Sequence, residues 1–431
     1  MLFLQSIPKT LTMRRPITLV FALCIAFLPS LTAQKNPLRV ILEKKGNGID
    51  SILNNVERYQ VQIIYTQIDR DVNNLPSFRS YTYNLDTNLY YYPASAVKMP
   101  AAFLALEKLN QIKVEGLNKY SPMHTGAGRP PQTAVTTDTT AENQEPSIAQ
   151  YIKKIFLVSD NDAFNRLYEF LGQEYLNKQL WKKGYKRTRL IHRLSVPGFD
   201  AESNRYTNPI TFFDTLGKPI YQQGQVNSGV YPRLNLRKQL QGKGYIEGDS
   251  TVVAKPFDFL NRNYIGLEEL HDMLKAVLFP EAVRPEQRFD LTEEDYKFLY
   301  KWMSAYPRES THPSYPEHAE EDNFVKFLLF GDKKPPLTIP NNIRIFNKVG
   351  LAYGFLTDVA YIADFENGVE FMLAATIRVN NDEIFNDGKY EYDEIGLPFL
   401  GKIGQSIYVH ELQRPKLVRP VLSKFKTEEG N

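Results

Sequence analysis

The chain has 431 residues, of which 42% are hydrophobic and 23% charged, enough to bury a sizeable core. A formal net charge of only +3 argues against a strongly basic nucleic-acid surface or a polybasic membrane contact. The one cysteine, Cys24, lies near the N-terminus, so the rest of the chain has no disulfide, thiolate metal ligand or thiol nucleophile.

Met13, Arg14 and Arg15 precede an apolar run from Ile17 to Leu28, and small residues follow as far as Ala33. This pattern predicts a cleavable export signal over residues 1–33 and a periplasmic or secreted product. The run is too short to favour a permanent membrane anchor, and Leu23 does not fit a lipoprotein signal at Cys24. Loss of Lys9, Arg14 and Arg15 leaves equal numbers of basic and acidic residues. Met13 is an alternative start.

From Leu38 to Tyr59 the pattern predicts a helix interrupted near Gly46 and Gly48, followed by strands in QVQIIYTQI and SFRSYTYNL. After Pro93 the string reads as a buried helix: Met99, Ala102, Phe103 and Leu106 recur at helical spacing, and Pro100 is tolerated in a first turn. Residues three apart share a helix face, so the Lys98 amine can reach the Ser95 hydroxyl. Ser95 then lies at a helix N-terminus, where free N–H groups favour a developing oxyanion, and the pair suits acyl transfer. A Ser-x-x-Lys spacing alone is weak, since Ser6 with Lys9 and Ser423 with Lys426 repeat it, but neither of those opens an apolar helix.

Ser159, Asp160 and Asn161 follow in FLVSDNDAFNRLYEFLG, and all three are also good helix N-caps. The predicted helical stretch runs from Ser95 to about Gly184. His192 reads as structural rather than catalytic, and the loop GFDAESNRYTNP carries two acids, Asp200 and Glu202. Between Tyr206 and Pro340, Gly-rich alternating stretches predict hairpins, and GLEELHDMLKAVLF and LTEEDYKFLYKWMSAY predict helices. His312 and His318 lie in a Pro-rich loop without metal-ligand spacing, so no metal or other cofactor is expected. Lys348, Val349 and Gly350 lie on a strand that turns into FLTDVAYIADF; EFMLAATIRV is a further strand, and a helix from roughly Glu391 to Leu412 closes the fold.

Strands at both ends of a helical block predict one sheet built discontinuously, an α+β (α/β-class) architecture. The expected organisation is a catalytic domain over 34–412. It comprises a sheet lobe (34–92 and 341–412), a helical lobe (93–205) and an insertion (206–340) at the cleft rim or in the scaffold. A disordered tail is expected over 413–431.

Ser95-x-x-Lys98, then Ser159-Asp160-Asn161, then Lys348-x-Gly350 on a strand is an ordered set that resembles the penicillin-recognising serine hydrolases, class A β-lactamases in particular. The resemblance implies a β-lactamase/transpeptidase-like fold, an antiparallel sheet flanked by helices with a helical lobe. It also implies a role for each residue. Ser95 is the acylated nucleophile and Lys98 its proton acceptor. Ser159 bridges Lys98 and Lys348 and protonates the leaving group, while Asn161 holds the substrate amide. The backbone N–H groups of Ser95 and Leu351, beside Gly350, form the oxyanion hole.

The pattern departs from the family at three points. Val349 stands where a hydroxyl residue helps hold the substrate carboxylate, and Leu356 stands near the place of an arginine on the next strand. The water-activating carboxylate falls among Ser195, Val196 and Pro197, leaving Asp200 and Glu202 as displaced candidates. A small β-lactam or a peptidoglycan-like peptide is the implied substrate. The alternatives are a D-Ala-D-Ala peptidase or other amide or ester hydrolase, and a non-catalytic envelope binding protein.

Overall fold

The computed structural model describes Leu2 and residues 36–44, 46, 48–231, 233–248 and 251–426. Apart from Leu2, the expected export signal with Cys24 lies outside the described residues. Five long strands, β1 Gln62–Arg70, β2 Pro76–Tyr83, β3 Ile343–Ala352, β4 Phe355–Asp364 and β5 Val369–Arg378, form one antiparallel sheet in the order β3-β4-β5-β1-β2. The two ends of the sequence meet where β1 pairs with β5, Gln62 opposite Thr376. The helices of ten residues or more are α1 Lys98–Gln111, α2 Ile148–Val158, α3 Asn161–Leu171, α4 Gln173–Lys182, α5 Leu267–Leu278, α6 Glu293–Ser304 and α7 Leu397–Gln413. Three short helices, Pro37–Leu42, Asp50–Leu53 and Val56–Tyr59, stand where one interrupted helix is expected.

Every residue of β4 and β5 is buried, as a strand covered on both faces requires. Side chains alternate between two cores. Ile345 and Val349 of β3, Leu356 and Ile362 of β4 and Leu373 of β5 pack with Phe399, Ile403 and Ile407 of α7. Phe346, Val359, Tyr361 and Met372 face the other way, into the core shared with α1, α2, α3, α5 and α6.

The segment 206–340 has two parts. Its helices α5 and α6 are not a rim elaboration: α5 packs on β1, β4 and β5, and α6 packs between α2 and β3. Both bury a full apolar face, Leu270, Met273, Leu274 and Val277 on α5 and Leu299 and Met303 on α6. The first part forms short hairpins, Ile210–Phe213 with Pro219–Gln223 and Gly244–Glu247 with Thr251–Val253, and reaches the cleft.

The expected disorder after α7 does not hold for residues 414–426. Phe425 is fully buried, with its ring 4.8 Å from Tyr361 and 5.4 Å from both Tyr300 and Phe346. A polar composition hid two buried anchors, Leu422 and Phe425, whose burial offsets part of the cost of ordering these residues. Phe425→Ala is therefore expected to destabilise the fold by about 3–5 kcal/mol. Urea unfolding would measure this, and a change below about 1 kcal/mol would contradict the packing.

Candidate active site

Ser95 lies on a 3₁₀ turn, Ala94–Val97, that runs directly into α1. Ala94 just before it has φ +45°, a conformation that L-residues adopt only under constraint. The constraint comes from β3. A Cβ at Gly350 would overlap the Pro93 carbonyl oxygen and lie 3.0 Å from Ala96 N, so only glycine lets the strand backbone meet the turn that carries Ser95. Ser95 is half-buried and opens onto a cleft of about 1330 Å³ together with Asn161, Leu351 and Tyr353.

Lys98, the first residue of α1 and three residues on from Ser95, is fully buried. Its amine donates to the Ser159 carbonyl oxygen, to Asn161 Oδ1 at 2.7 Å and, weakly, to Ser159 Oγ at 3.4 Å. No hydrogen bond joins it to the Ser95 hydroxyl among the described residues, so the expected Ser95–Lys98 contact is replaced by a link from Lys98 to the second motif. Burial pushes the Lys98 pKa down to about 7, opposed by the nearby charge of Asp160. Asp160 caps α3 through Ala163 N at 2.8 Å, so the N-cap and electrostatic readings of this motif coexist. Ser159 caps the C-terminal end of α2 in the left-handed conformation, φ +58°.

On the other side of Ser159, Lys348 Nζ donates to Ser159 Oγ at 2.8 Å and to the Val349 carbonyl at 2.9 Å. Its pKa lies well below the ordinary lysine value, first through burial and then through the Lys98 charge. Behind it is a buried group that the motifs did not suggest. Lys326 donates to Asn347 Oδ1 at 2.8 Å, and Asp358 accepts from Asn347 Nδ2, Phe327 N and Leu328 N. Burial lowers Lys326 to about 7 and raises Asp358 to about 6.

Strand alternation explains two departures from the family pattern. Val349 and Leu356 point into the core under α7, the latter against Gly396, and neither faces the cleft. Asp200 and Glu202 are exposed and line the cleft. The Asp200 carboxylate is held by Ser203 N and Ser203 Oγ, both at 2.7 Å, which lowers its pKa. Ser195 has φ +50°, and the neighbouring Leu194 is held at both backbone polar atoms by the Asn165 amide. His192 is buried: its Nδ1 lies 2.5 Å from the Arg193 carbonyl, its ring is parallel to Tyr92, and desolvation lowers its pKa to about 4. Among the described residues there is no cluster of three His, Cys, Asp or Glu side chains able to hold a metal, and no helix long and apolar enough to cross a membrane.

The Lys98 amine is expected to titrate with a midpoint near 7, and Asp160→Asn should move that midpoint lower by removing the charge that opposes burial. NMR of ¹³C-labelled lysine would follow this directly. A midpoint near 10.5, the ordinary lysine value, would contradict a dry Lys98.

Residues 48–229 match the model of the Beta-lactamase enzyme family, a span that holds Ser95, Lys98, Ser159 and Asn161 but not Lys348. No curated protein matches. Among solved structures, the chain is similar to a β-lactamase from Sphaerobacter thermophilus at 11% identity and TM-score 0.44, covering 86% of this chain and 98% of that one. It is also similar to a class A β-lactamase from Clostridium kluyveri at 14% identity and TM-score 0.43, covering 83% and 98%. With the family match over the first two motifs and the mixed helix-and-antiparallel-sheet architecture, the chain has a β-lactamase-like fold.

Proposed function

We propose that the protein is an exported serine hydrolase that works through an acyl-enzyme on Ser95. The observation that carries this reading is the Ser159 hydroxyl held between two buried lysines, one of which also holds Asn161, a residue that lines the same cleft as Ser95. Lys98, which burial leaves partly neutral near pH 7, accepts in its neutral form the Ser95 proton as the hydroxyl attacks a carbonyl. The N–H groups of Ser95 and Leu351 receive the oxyanion. Ser159 then passes a proton to the leaving group, and Lys348 offsets the negative charge that collects there. Asn161 gives its Oδ1 to Lys98, which leaves its Nδ2 for the substrate carbonyl.

Export rests on the N-terminal signal pattern. The substrate reading is a β-lactam or a peptidoglycan-like peptide, with a D-Ala-D-Ala peptidase or another amide or ester hydrolase as the neighbouring activity. Hydrolysis of the acyl-enzyme is the weak step. Asp200 is occupied by Ser203, so Glu202 is the remaining candidate of the two to activate water. Both stand exposed on the rim, where a general base is poorly tuned. An intact set of Ser95, Lys98, Ser159, Asn161 and Lys348 weighs against a non-catalytic binding protein.

Mass spectrometry of the intact protein with penicillins, cephalosporins and acyl-D-Ala esters tests the reading. Ser95→Ala should abolish the adduct. Lys98→Ala should nearly abolish acylation, and Lys348→Ala should mainly weaken substrate capture, by about 2–4 kcal/mol. Turnover of a chromogenic cephalosporin should be slow and leave a long-lived adduct. A kcat/KM near about 10⁷ M⁻¹s⁻¹ would overturn the slow step, and equal labelling of Ser95→Ala would overturn the nucleophile.

A further inference from the structure

The site is laid out in order along β3. Lys348 stands beside Ser159, Gly350 presses on the Ser95 turn, and Leu351 and Tyr353 continue along the cleft wall. A substrate whose carbonyl sits at Ser95, with its leaving group towards Ser159, extends its acyl portion towards Tyr353.

Arg262, from the 206–340 segment, stands at that end. Its guanidinium lies 5.5 Å from the Phe257 ring centroid and 6.0 Å from that of Tyr353. Tyr92 packs edge-on to Tyr353 at 5.1 Å and parallel to His192 at 6.4 Å, which completes an aromatic wall. Arg262 is half-buried and lines the cleft.

Other arginines on the cleft wall are engaged. Arg193 pairs with Glu169 at 2.9 Å, and Arg205 donates to the Ser228 carbonyl at 2.7 Å. Arg189 donates to the carbonyls of Lys186 and Thr188, and Arg233 contacts Asn261. No ion pair or side-chain hydrogen bond of Arg262 is formed among the described residues. Asp258 of the same loop gives its carboxylate to Leu260 N at 2.7 Å instead. A half-buried guanidinium braced on two rings, with its donors uncommitted, matches the planar fork of a carboxylate.

We propose that the cleft contains a second recognition site, in which Arg262 binds a carboxylate carried on the acyl portion of the substrate, away from the scissile bond. The proposal rests on the reading that Ser95 is acylated from this cleft. It makes the preferred acyl donors acidic ones, and it assigns their selection to a segment outside the three motifs.

The test compares two thiophenyl esters of adipic acid, one with the distal carboxylate free and one with it methylated, by the rate of adduct formation on intact protein. The wild type should react at least tenfold faster with the free acid, Arg262→Ala should bring the two rates within about twofold, and Arg262→Lys should keep part of the preference. Calorimetry of adipate with Ser95→Ala, alone and combined with Arg262→Ala, reads binding without chemistry. Binding that depends on Arg262 when no ester acylates Ser95 would uphold the subsite and overturn the hydrolase. Acylation with no preference in the wild type, or with the same preference in Arg262→Ala, would overturn the subsite and leave the hydrolase standing. If Arg262→Ala unfolds, the wild-type ratio and Arg262→Lys still decide.

Discussion

The site is built around one half-buried hydroxyl, Ser159 Oγ, that takes hydrogen bonds from two lysines removed from water. Two ammonium groups sharing one hydroxyl repel each other, and the Lys98 charge helps to hold Lys348 below its ordinary pKa. Burial opposes both charges as well. The arrangement is tenable because the lysines need not both be charged, and because acids flank the pair: Asp160 acts on Lys98, and Asp358 acts on Lys348. Lys98 binds protons less readily in the folded than in the unfolded chain. Its contribution to stability is therefore poorest below about pH 7 and improves as pH rises towards the ordinary lysine value. A lysine held with a lowered pKa is kept at some expense in stability.

The second constraint is mechanical. Lys348 belongs to the sheet, Ser95 to the start of α1, and Ser159 to the α2–α3 junction, so their mutual distances depend on how closely sheet and helices approach. Gly350 sets that approach by letting β3 backbone touch the Pro93 carbonyl. The positive φ values at Ala94 and Ser159 show the local cost, of order 1–3 kcal/mol each. The two cores on either side of the sheet hold these conformations in place. Packing on both faces thus bears directly on the chemistry.

Much of this was legible in the sequence. The five long strands stood out as apolar runs bounded by turn residues, and Ser95, Lys98, Ser159, Asn161 and Lys348 stood out as ordered motifs. Contacts set by tertiary packing were not legible. Spacing placed Lys98 on the face of Ser95, and the resemblance implied its link to Ser159; that the amine turns away from Ser95 and also takes Asn161 Oδ1 depends on the approach of α2 and α3. The Lys326–Asn347–Asp358 group joins three segments and has no local signature. Phe425 was hidden by its polar neighbours. Val349 and Leu356 stood out as missing carboxylate readers, but the sequence did not say that both side chains face the core rather than the cleft.

The 206–340 segment shows how one stretch can serve two demands. Its helices α5 and α6 lie against the sheet and α2, so their apolar faces are fixed by packing. Its loops at 230–239 and 258–264 contribute Tyr231, Arg233, Leu236, Phe259, Arg262 and Tyr264 to the cleft without supplying any of the three motifs. Changes in those loops alter what lines the cleft while the hydrogen bonds around Ser159 stay as they are, since none of them reaches the loops. The three motifs and the cleft-lining loops thus come from different parts of the chain: the first from β3, the start of α1 and the α2–α3 junction, the second from residues 230–239 and 258–264.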